Sequence, residues 1–363
     1  MTSFSAAERD AMRRALDLAR TPGVPLGPNP RVGCVLVDAG GQVVAQGVAQ
    51  VVAQVVAQVV AEGYHRGAGT DHAEAVALAE AGADARGSTA VVTLEPCNHS
   101  GRTGPCTEAL IAAGVARVVF AQSDPNPVAA GGAATLRAAG VDVASGLLER
   151  EAREVNRAWT FAMDRGRPFV TWKYACTLDG RSAAADGTSR WVSSPAARVD
   201  THRLRALCDV MLVGANTVAV DDPELTVRDE YDEPMPHQPL RVVMGERDLP
   251  GGRRIFNDRA ETTQLRTHDP RAALGELFAR GRRHVFLEGG PQLAAAFLKA
   301  GLIDEVVGYV APKLLGAGTS TVADLGIGTI ADAVELAITD VTTVGTGKDA
   351  NVRLTMTPDE RTT

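Results

Sequence analysis

Four residues have the types and spacing to do chemistry: His72 and Glu74 in His72-Ala73-Glu74, Cys97 after Pro96, and Cys106. One imidazole and two thiolates form a borderline-soft donor set suited to zinc. Three protein ligands leave the fourth tetrahedral position to water, as catalytic rather than structural zinc requires. A metal there lowers the pKa of its water toward neutrality and makes hydroxide available. Glu74, two residues past the histidine, can face that water without ligating the metal and shuttle its proton. Taken singly, each cysteine reads better as a core thiol and His72 as a satisfied polar residue. The zinc reading rests on the four together.

Local elements must hold these side chains in place. Residues 5–19 have apolar positions at helical spacing, with Ser5 and Glu8 placed for a capping box. A Pro-Asn-Pro turn precedes a strand at 32–37. An alanine-rich helix over 73–81 starts just past His72 and stops at Gly82. A strand at 90–94 delivers Cys97. Cys106 opens a helix over 107–113 closed by Gly114, and a helix N-terminus favours the thiolate. A strand at 115–121 runs into Asp124-Pro125-Asn126-Pro127, followed by a helix at 133–139 and a strand at 141–144. This alternation predicts an α/β sandwich with a largely parallel sheet.

The pattern restarts after a helix around 149–163, with Gly166-Arg167-Pro168 as a linker. Strands are expected at 169–174, 209–213, 240–244, 284–287, 306–310 and 351–356, and helices at 194–207 and 292–300. The boundary falls near 150–168, and 363 residues suit two domains of about 150 each. No G-x-G-x-x-G follows a strand in this half, so a Rossmann fingerprint is absent. Instead a strand meets Glu288-Gly289-Gly290-Pro291 and then a helix. Glycines let the backbone approach a ligand, and a helix N-terminus attracts phosphate. Lys173, Leu178-Asp179-Gly180-Arg181, Ser189-Arg190-Trp191 and the run from Asp221 to Arg228 are further clusters. Each alone reads as a charged surface loop.

Zinc nucleobase deaminases carry H-x-E followed by P-C-x-x-C. Here the cysteines stand as Cys-x8-Cys, with Asn98-His99-Ser100-Gly101-Arg102-Thr103-Gly104-Pro105 between them. That loop, with Pro28-Asn29-Pro30-Arg31-Val32-Gly33, Gly63-Tyr64-His65, Thr93-Leu94-Glu95-Pro96-Cys97 and Asp124-Pro125-Asn126-Pro127, resembles the bifunctional deaminase/reductase family of riboflavin biosynthesis. The resemblance spans nearly the whole chain; Asn98 and Gly104 are mild departures. It implies a cytidine-deaminase-like α/β/α sandwich over 1–150 and a dihydrofolate-reductase-like α/β domain over 168–360. It implies zinc on His72, Cys97 and Cys106, with Glu74 as the proton shuttle. It places Asn29, His65, His99, Arg102, Asp124 and Asn126 on a pyrimidine and its phosphate. A guanidinium on a glycine-flanked loop suits that role for Arg102.

In the second half the resemblance implies NADPH at Ala175, Trp191, Thr217, Asp221 and the turn Gly290, Pro291, Gln292, Leu293, Ala294, Ala295 and Ala296. Substrate contacts follow at Ser189, Arg205, Leu225, Arg228 and Glu288. The implied reactions are hydrolytic deamination of 2,5-diamino-6-(5-phosphoribosylamino)pyrimidin-4-one, then reduction of the product's ribose to a ribityl phosphate chain. Residue types alone make no proton donor evident for the second step, and Asp221 is the candidate.

Charge and composition exclude other classes. With 37 basic and 44 acidic residues the net charge is −7, and no basic stripe stands out for a phosphate backbone. Aromatics at 4% are too few for a base-stacking platform. A nucleic-acid-editing deaminase with an accessory domain is the alternative this balance disfavours. A zinc-stabilised structural module with a nucleotide-sensing domain is a third reading, one indifferent to Glu74→Gln. The expectation is a cytoplasmic enzyme of small phosphorylated substrates, a homo-oligomer, with no nucleic-acid or membrane partner. Local positive charge for phosphate is expected at Arg102, Arg205 and Arg228, and Cys34, Cys176 and Cys208 are expected as buried thiols.

One segment stands apart. Residues 43–62 read VVAQ GVAQ VVAQ VVAQ VVAE, and deleting 46–61 leaves an uninterrupted GQVVAEGYH. A four-residue period is too short for a solenoid. It suits a tandem duplication within one strand or hairpin, bulged out or extended away from the zinc site.

Overall fold

The computed structural model describes residues 4–24, 27–38, 59–99 and 104–359. The chain divides into two units, Met1–Asp164 and Arg165–Thr363. The first opens with α1 (Ala6–Ala19), whose capping box is formed: Ser5 Oγ accepts from the Glu8 N–H and the Glu8 carboxylate accepts from the Ser5 N–H. There follow β1 (Gly33–Val37), β2 (Val59–Tyr64), α2 (Ala73–Ala81), β3 (Thr89–Leu94), α3 (Cys106–Ala113), β4 (Arg117–Gln122), α4 (Gly132–Ala138), β5 (Asp142–Ser145), α5 (Glu149–Val155) and α6 (Arg157–Arg165).

Strand order is β2-β1-β3-β4-β5. β3, β4 and β5 pair in parallel, but β1 is antiparallel to both neighbours. The largely parallel sheet expected from the alternation is therefore mixed, since antiparallel neighbours need no helical crossover. Cys34 and Leu36 point with Val92, Leu94, Val118 and Phe120 into the core under α2, α3 and α4. Val35, Val37, Val91 and Val119 point the other way, against α1 and α5. Helices on both faces explain why β1 reads GCVLV with every residue buried.

The single helix expected over 149–163 is two helices, α5 and α6. The break is at buried Asn156, whose Oδ1 accepts from the Arg31 N–H at 2.8 Å and whose Nδ2 donates to the Arg31 carbonyl at 2.8 Å. Asn156 thereby clamps the segment that follows Asn29. Of the repeat, only Val59 to Glu62 are described, within β2. The expected bulge or hairpin extension concerns 43–58, which lie outside the described residues.

The second unit contains β6 (Phe169–Thr177), β7 (Arg181–Ala183), α7 (Pro195–Arg205), β8 (Val210–Gly214), α8 (Ala215–Asp221), β9 (Leu240–Met244), β10 (Thr262–Leu265), α9 (Pro270–Ala279), β11 (His284–Leu287), α10 (Pro291–Lys299), β12 (Glu305–Ala311), β13 (Thr319–Ser320), β14 (Leu336–Val344) and β15 (Asn351–Pro358). Eight strands run β10-β9-β8-β11-β6-β12-β15-β14. The first six are parallel and the last two antiparallel. α9 and α10 cover one face through Leu274, Leu277, Ala294 and Phe297. α8 covers the other through Ala215 and Val218, and α7 through Ala197. Ligands of such sheets gather at the carboxyl ends of the parallel strands, where Gly214 and Glu288 lie. All five cysteines are buried and none forms a disulfide. Among the described residues no helix is long and apolar enough to cross a membrane.

Candidate active sites

Each donor of the first site sits at the end of an element. His72 is the N-cap residue of α2, Cys106 is the first residue of α3, and Cys97 lies three residues past β3. Their donor atoms lie within 4.8 Å of one another. His72 Nδ1 is 3.2 Å from Cys106 Sγ and 3.4 Å from Cys97 Sγ. Zinc bonds of about 2.3 Å to sulfur and 2.0 Å to nitrogen at a tetrahedral angle separate N and S by about 3.5 Å, so the three donors fit the ion. Cys97 Sγ also accepts from the Cys106 N–H at 3.4 Å. Hydrogen bonding from Cys106 pushes the Cys97 thiol well below its ordinary value, and the same contact pushes Cys106 up.

Glu74 lies in the first turn of α2 and is buried. Burial raises its carboxyl to about 7. A carboxyl near neutrality can both accept and return a proton.

His65 packs edge-on against His72 with ring centroids 5.4 Å apart. Its Nδ1 meets the Asp71 carbonyl at 3.1 Å, so Nδ1 carries the proton and Nε2 accepts from Asn29 Nδ2 at 3.0 Å. Burial holds His65 below its usual pKa, in keeping with a neutral ring. Asn29 is thereby oriented with its donor spent on the histidine. Asp124 Oδ1 accepts from the Asn126 N–H at 2.8 Å, and burial raises the Asp124 carboxyl to about 6. His99 Nδ1 is buried with no hydrogen-bond partner among the described residues. Arg102 lies outside the described residues. Sequence reading passed over the role of Glu95: its carboxylate accepts from the N–H of Asp124 at 3.2 Å and of Ala133 at 2.9 Å, tying the Asp124 loop to α4.

The second site is built on charge pairs. Arg205, at the end of α7, donates through Nε and Nη2 to both Glu288 oxygens at 2.5 and 2.8 Å, and through Nη1 to the Thr226 carbonyl at 3.0 Å. Burial works to raise Glu288, but the charges of Arg205 and Lys173 outweigh it and hold the carboxyl at about 2. Lys173 lies 5.7 Å from the Tyr309 ring, and burial pushes its pKa down. Arg228 donates to Glu224 at 2.6 Å and to the Asp232 carbonyl at 2.7 Å. The two arginines expected as open phosphate partners are thus both paired. Glu224, unsingled by the sequence within its Asp221–Arg228 run, also binds Arg254 at 2.9 Å and Arg259 at 3.1 Å. Two carboxylates, Glu224 and Asp232, among three guanidiniums leave the local balance positive.

Leu225 is buried at φ 54° in the same loop. Trp191 is 60% exposed, with the Arg198 guanidinium 4.3 Å from its ring. Ser189 stands in the turn before it, its carbonyl accepting from the Val192 N–H. Ala175 is half-buried on β6. Asp221 ends α8, where its carbonyl accepts from Arg190.

Gly290 caps α10 without a side-chain hydrogen bond, and Pro291 is its first residue. A Cβ at Gly290 would meet only Thr217 Oγ1, at 3.9 Å. A bare helix N-terminus beside a hydroxyl suits a pyrophosphate, so NADPH fits here. The donors of this turn are narrower than the seven residues expected. The Ala294 N–H is spent on the Gly290 carbonyl and the Ala294 and Ala295 side chains are buried, which leaves the N–H groups of Gln292 and Leu293.

Comparison with known proteins agrees with both halves. Residues 5–122 match the cytidine and deoxycytidylate deaminase zinc-binding region, and residues 168–348 match the RibD C-terminal domain. The riboflavin biosynthesis protein RibD of Mycobacterium tuberculosis H37Rv is 49% identical, over 88% of this chain and 89% of its own length. That of Escherichia coli K12 is 40% identical, over 92% and 96%. Among solved structures, Acinetobacter baumannii RibD superposes with a TM-score of 0.84 at 34% identity, covering 97% of this chain and 99% of its own. A Thermotoga maritima diaminohydroxyphosphoribosylaminopyrimidine deaminase/5-amino-6-(5-phosphoribosylamino)uracil reductase gives 0.82 at 30%, covering 97% and 99%. With two sites of these kinds and relatives matched along most of its length, the chain belongs to the RibD family of riboflavin biosynthesis proteins.

Proposed function

We propose that the chain carries out two consecutive steps on one phosphorylated pyrimidine. Residues 1–150 hydrolyse the 2-amino group of 2,5-diamino-6-(5-phosphoribosylamino)pyrimidin-4-one, and residues 168–360 reduce the ribose of the product to a ribityl phosphate chain. The chain is a zinc-dependent deaminase joined to an NADPH-dependent reductase. One observation carries the first assignment: a one-nitrogen, two-sulfur donor set with a buried, protonatable carboxylate two residues beyond its histidine.

When bound at His72, Cys97 and Cys106, zinc supplies a nucleophilic hydroxide near neutral pH. Glu74 takes the proton of the incoming nucleophile and passes it to the leaving amine. Asn29, oriented by His65, turns its Oδ1 to accept from the pyrimidine. Asp124, Asn126 and His99 complete the ring and ribosyl contacts, and Arg102 takes the phosphate.

In the reductase NADPH supplies the hydride. The N–H groups of Gln292 and Leu293 with Thr217 hold its pyrophosphate, and Ala175 and Trp191 flank it. Glu288, aligned by Arg205, contacts the sugar, while Ser189, Leu225 and Arg228 hold the rest of the substrate. Asp221 is retained as the proton donor. We place the enzyme in the cytoplasm, with no nucleic-acid partner. A second copy of the chain fits the exposed edge strand β14, where Ile338 and Val341 are each 60% exposed. A mass measurement showing only monomer at assay concentration would overturn that association.

A coupled assay tests the main reading: pyrimidine deamination, then NADPH oxidation, each with and without a chelator. Chelation stops the first step and spares reduction of pre-deaminated substrate. Equal loss of both steps contradicts the division.

A further inference from the structure

The tandem repeat leaves β2 without a register of its own. Residues 55–58 read VVAQ and residues 59–62 read VVAE. Sliding β2 by four residues along β1 therefore restores the same alternation of side chains. In the structure Glu62 lies opposite Val35 and Gly63 opposite Cys34. One slip toward the earlier copies puts Gln58 opposite Val35 and Val59 opposite Cys34. Ala61 then stands where His65 now donates its N–H to the Val32 carbonyl at 3.0 Å.

Two features next to the last copy separate these registers, and their magnitudes differ. The Glu62 carboxylate accepts from Arg14 Nε and Nη2 at 2.8 and 2.7 Å. The arginine and glutamate side chains are 51% and 28% exposed. A pair so placed in solvent moves an equilibrium only a few-fold, and a glutamine recovers part of that. Gly63 sets a harder condition. A Cβ at this position would lie 2.3 Å from the Ala73 carbonyl oxygen and 2.7 Å from the Ala77 nitrogen. Both atoms are backbone of α2 and cannot swing aside as a flexible side chain can. Gly63 has no positive φ, so its missing side chain, not its backbone freedom, is what the site uses. A valine here must push α2 off the sheet, and α2 carries Glu74 and begins at His72.

We infer that Gly63 is a positioning residue for deamination. By admitting no side chain between β2 and α2, it selects the fifth copy of the repeat over the second, third and fourth, which would bring Val51, Val55 or Val59 to its place. That choice sets His65 beside His72 and holds α2, with His72 and Glu74, against the sheet. Earlier copies carry valine or glycine at their first position, and Val59 is the residue a single slip brings to the Gly63 slot.

The test removes the steric barrier and then removes the alternative strand. Val59→Gly admits the slipped register, and Val59→Ala serves as its control. In the full chain Val59→Gly lowers the deaminase rate two-fold or more, Val59→Ala does not, and the reductase rate is unchanged in both. Deleting 43–58 leaves five residues, Asp38 to Gln42, between β1 and β2 and removes every earlier copy. In that background Val59→Gly has no effect. Hydrogen exchange supplies a readout independent of activity: residues 55–58 gain protection in full-length Val59→Gly relative to Val59→Ala. Deamination by this unit is assumed here, and the exchange readout reports the register whether or not that holds. It also decides the matter if the deletion alone abolishes activity. Equal losses with and without the repeat, or unchanged exchange across 55–58, overturn the proposal.

Discussion

The two sites handle charge in opposite ways. In the deaminase unit, burial leaves titratable groups close to neutrality: Glu74 at about 7 and Asp124 at about 6. In the reductase unit charges are fixed in pairs, with Glu288 held at about 2 by Arg205 and Lys173. The chemistry accounts for the contrast. Hydrolysis needs a group that picks up and returns a proton, so among the described residues its carboxylate is buried without an arginine or lysine ion pair. Hydride transfer takes its reactive atom from the cofactor, so the protein's task is orientation and a steady field. Buried ion pairs give rigid geometry at a desolvation cost, which suits the second task and not the first.

Breaking the ligand set should give the largest effect. Cys106→Ala is expected to abolish zinc binding and reduce deamination by about 10³-fold or more, with reductase turnover within about two-fold of the parent. Metal analysis beside the two half-assays checks it, and a matching loss in the reductase would erase the distinction between the sites.

Next is the buried pair. Arg205→Ala removes the bidentate partner of Glu288 and leaves Lys173 as the nearby cation, and the reductase unit is expected to lose about 3–5 kcal/mol. Chemical denaturation followed by a reporter in each unit should show only the second transition moving. A shift below about 1 kcal/mol would mean the pair is solvated and not a rigid frame.

A smaller effect concerns acid. Burial lowers His202 to about 4, and its Nδ1 accepts from the Arg228 N–H at 3.1 Å. A histidine depressed in the folded state contributes stability that is present above its unfolded pKa, about 6.5. That stability falls away as the unfolded chain takes up the proton, from pH 6.5 down to about 4. With partial solvent exposure the loss is about 1–2 kcal/mol. His202→Asn should flatten the pH dependence of reductase-unit stability across that range; an unaltered slope would assign it elsewhere. Smallest is Glu62→Gln, a half-exposed pair whose loss should cost the deaminase unit under about 1 kcal/mol in urea unfolding.

Legibility in the sequence follows the same divide. The zinc site was readable because its ligands sit at element ends marked by strong local signals. Gly82 and Gly114 stop α2 and α3 as expected, and α2 begins just after His72. Buried strands such as β9 and β11 were readable as short apolar runs. Polar elements were not. β10 reads TTQL, and β14 is exposed along most of its length, so neither carries an apolar pattern to detect. α9 was missed although Asp269 and Pro270 form a standard helix start. The break at Asn156 was invisible because its cause is a contact with Arg31, 125 positions away. Charge pairing escaped for the same reason. Arg205 and Glu288 are 83 residues apart, and residue type alone suggested an open arginine where the fold supplies a partner.

We propose that one chain holds two chemically independent sites, the first resting on Glu74 as a proton carrier and not as a ligand. Glu74→Gln tests it most directly, with zinc content and both half-reactions measured on the same preparation. Retained zinc, deamination lowered by about 10²–10⁴-fold and unchanged reduction are the predicted result. Loss of zinc, or deamination at the parent rate, would contradict it.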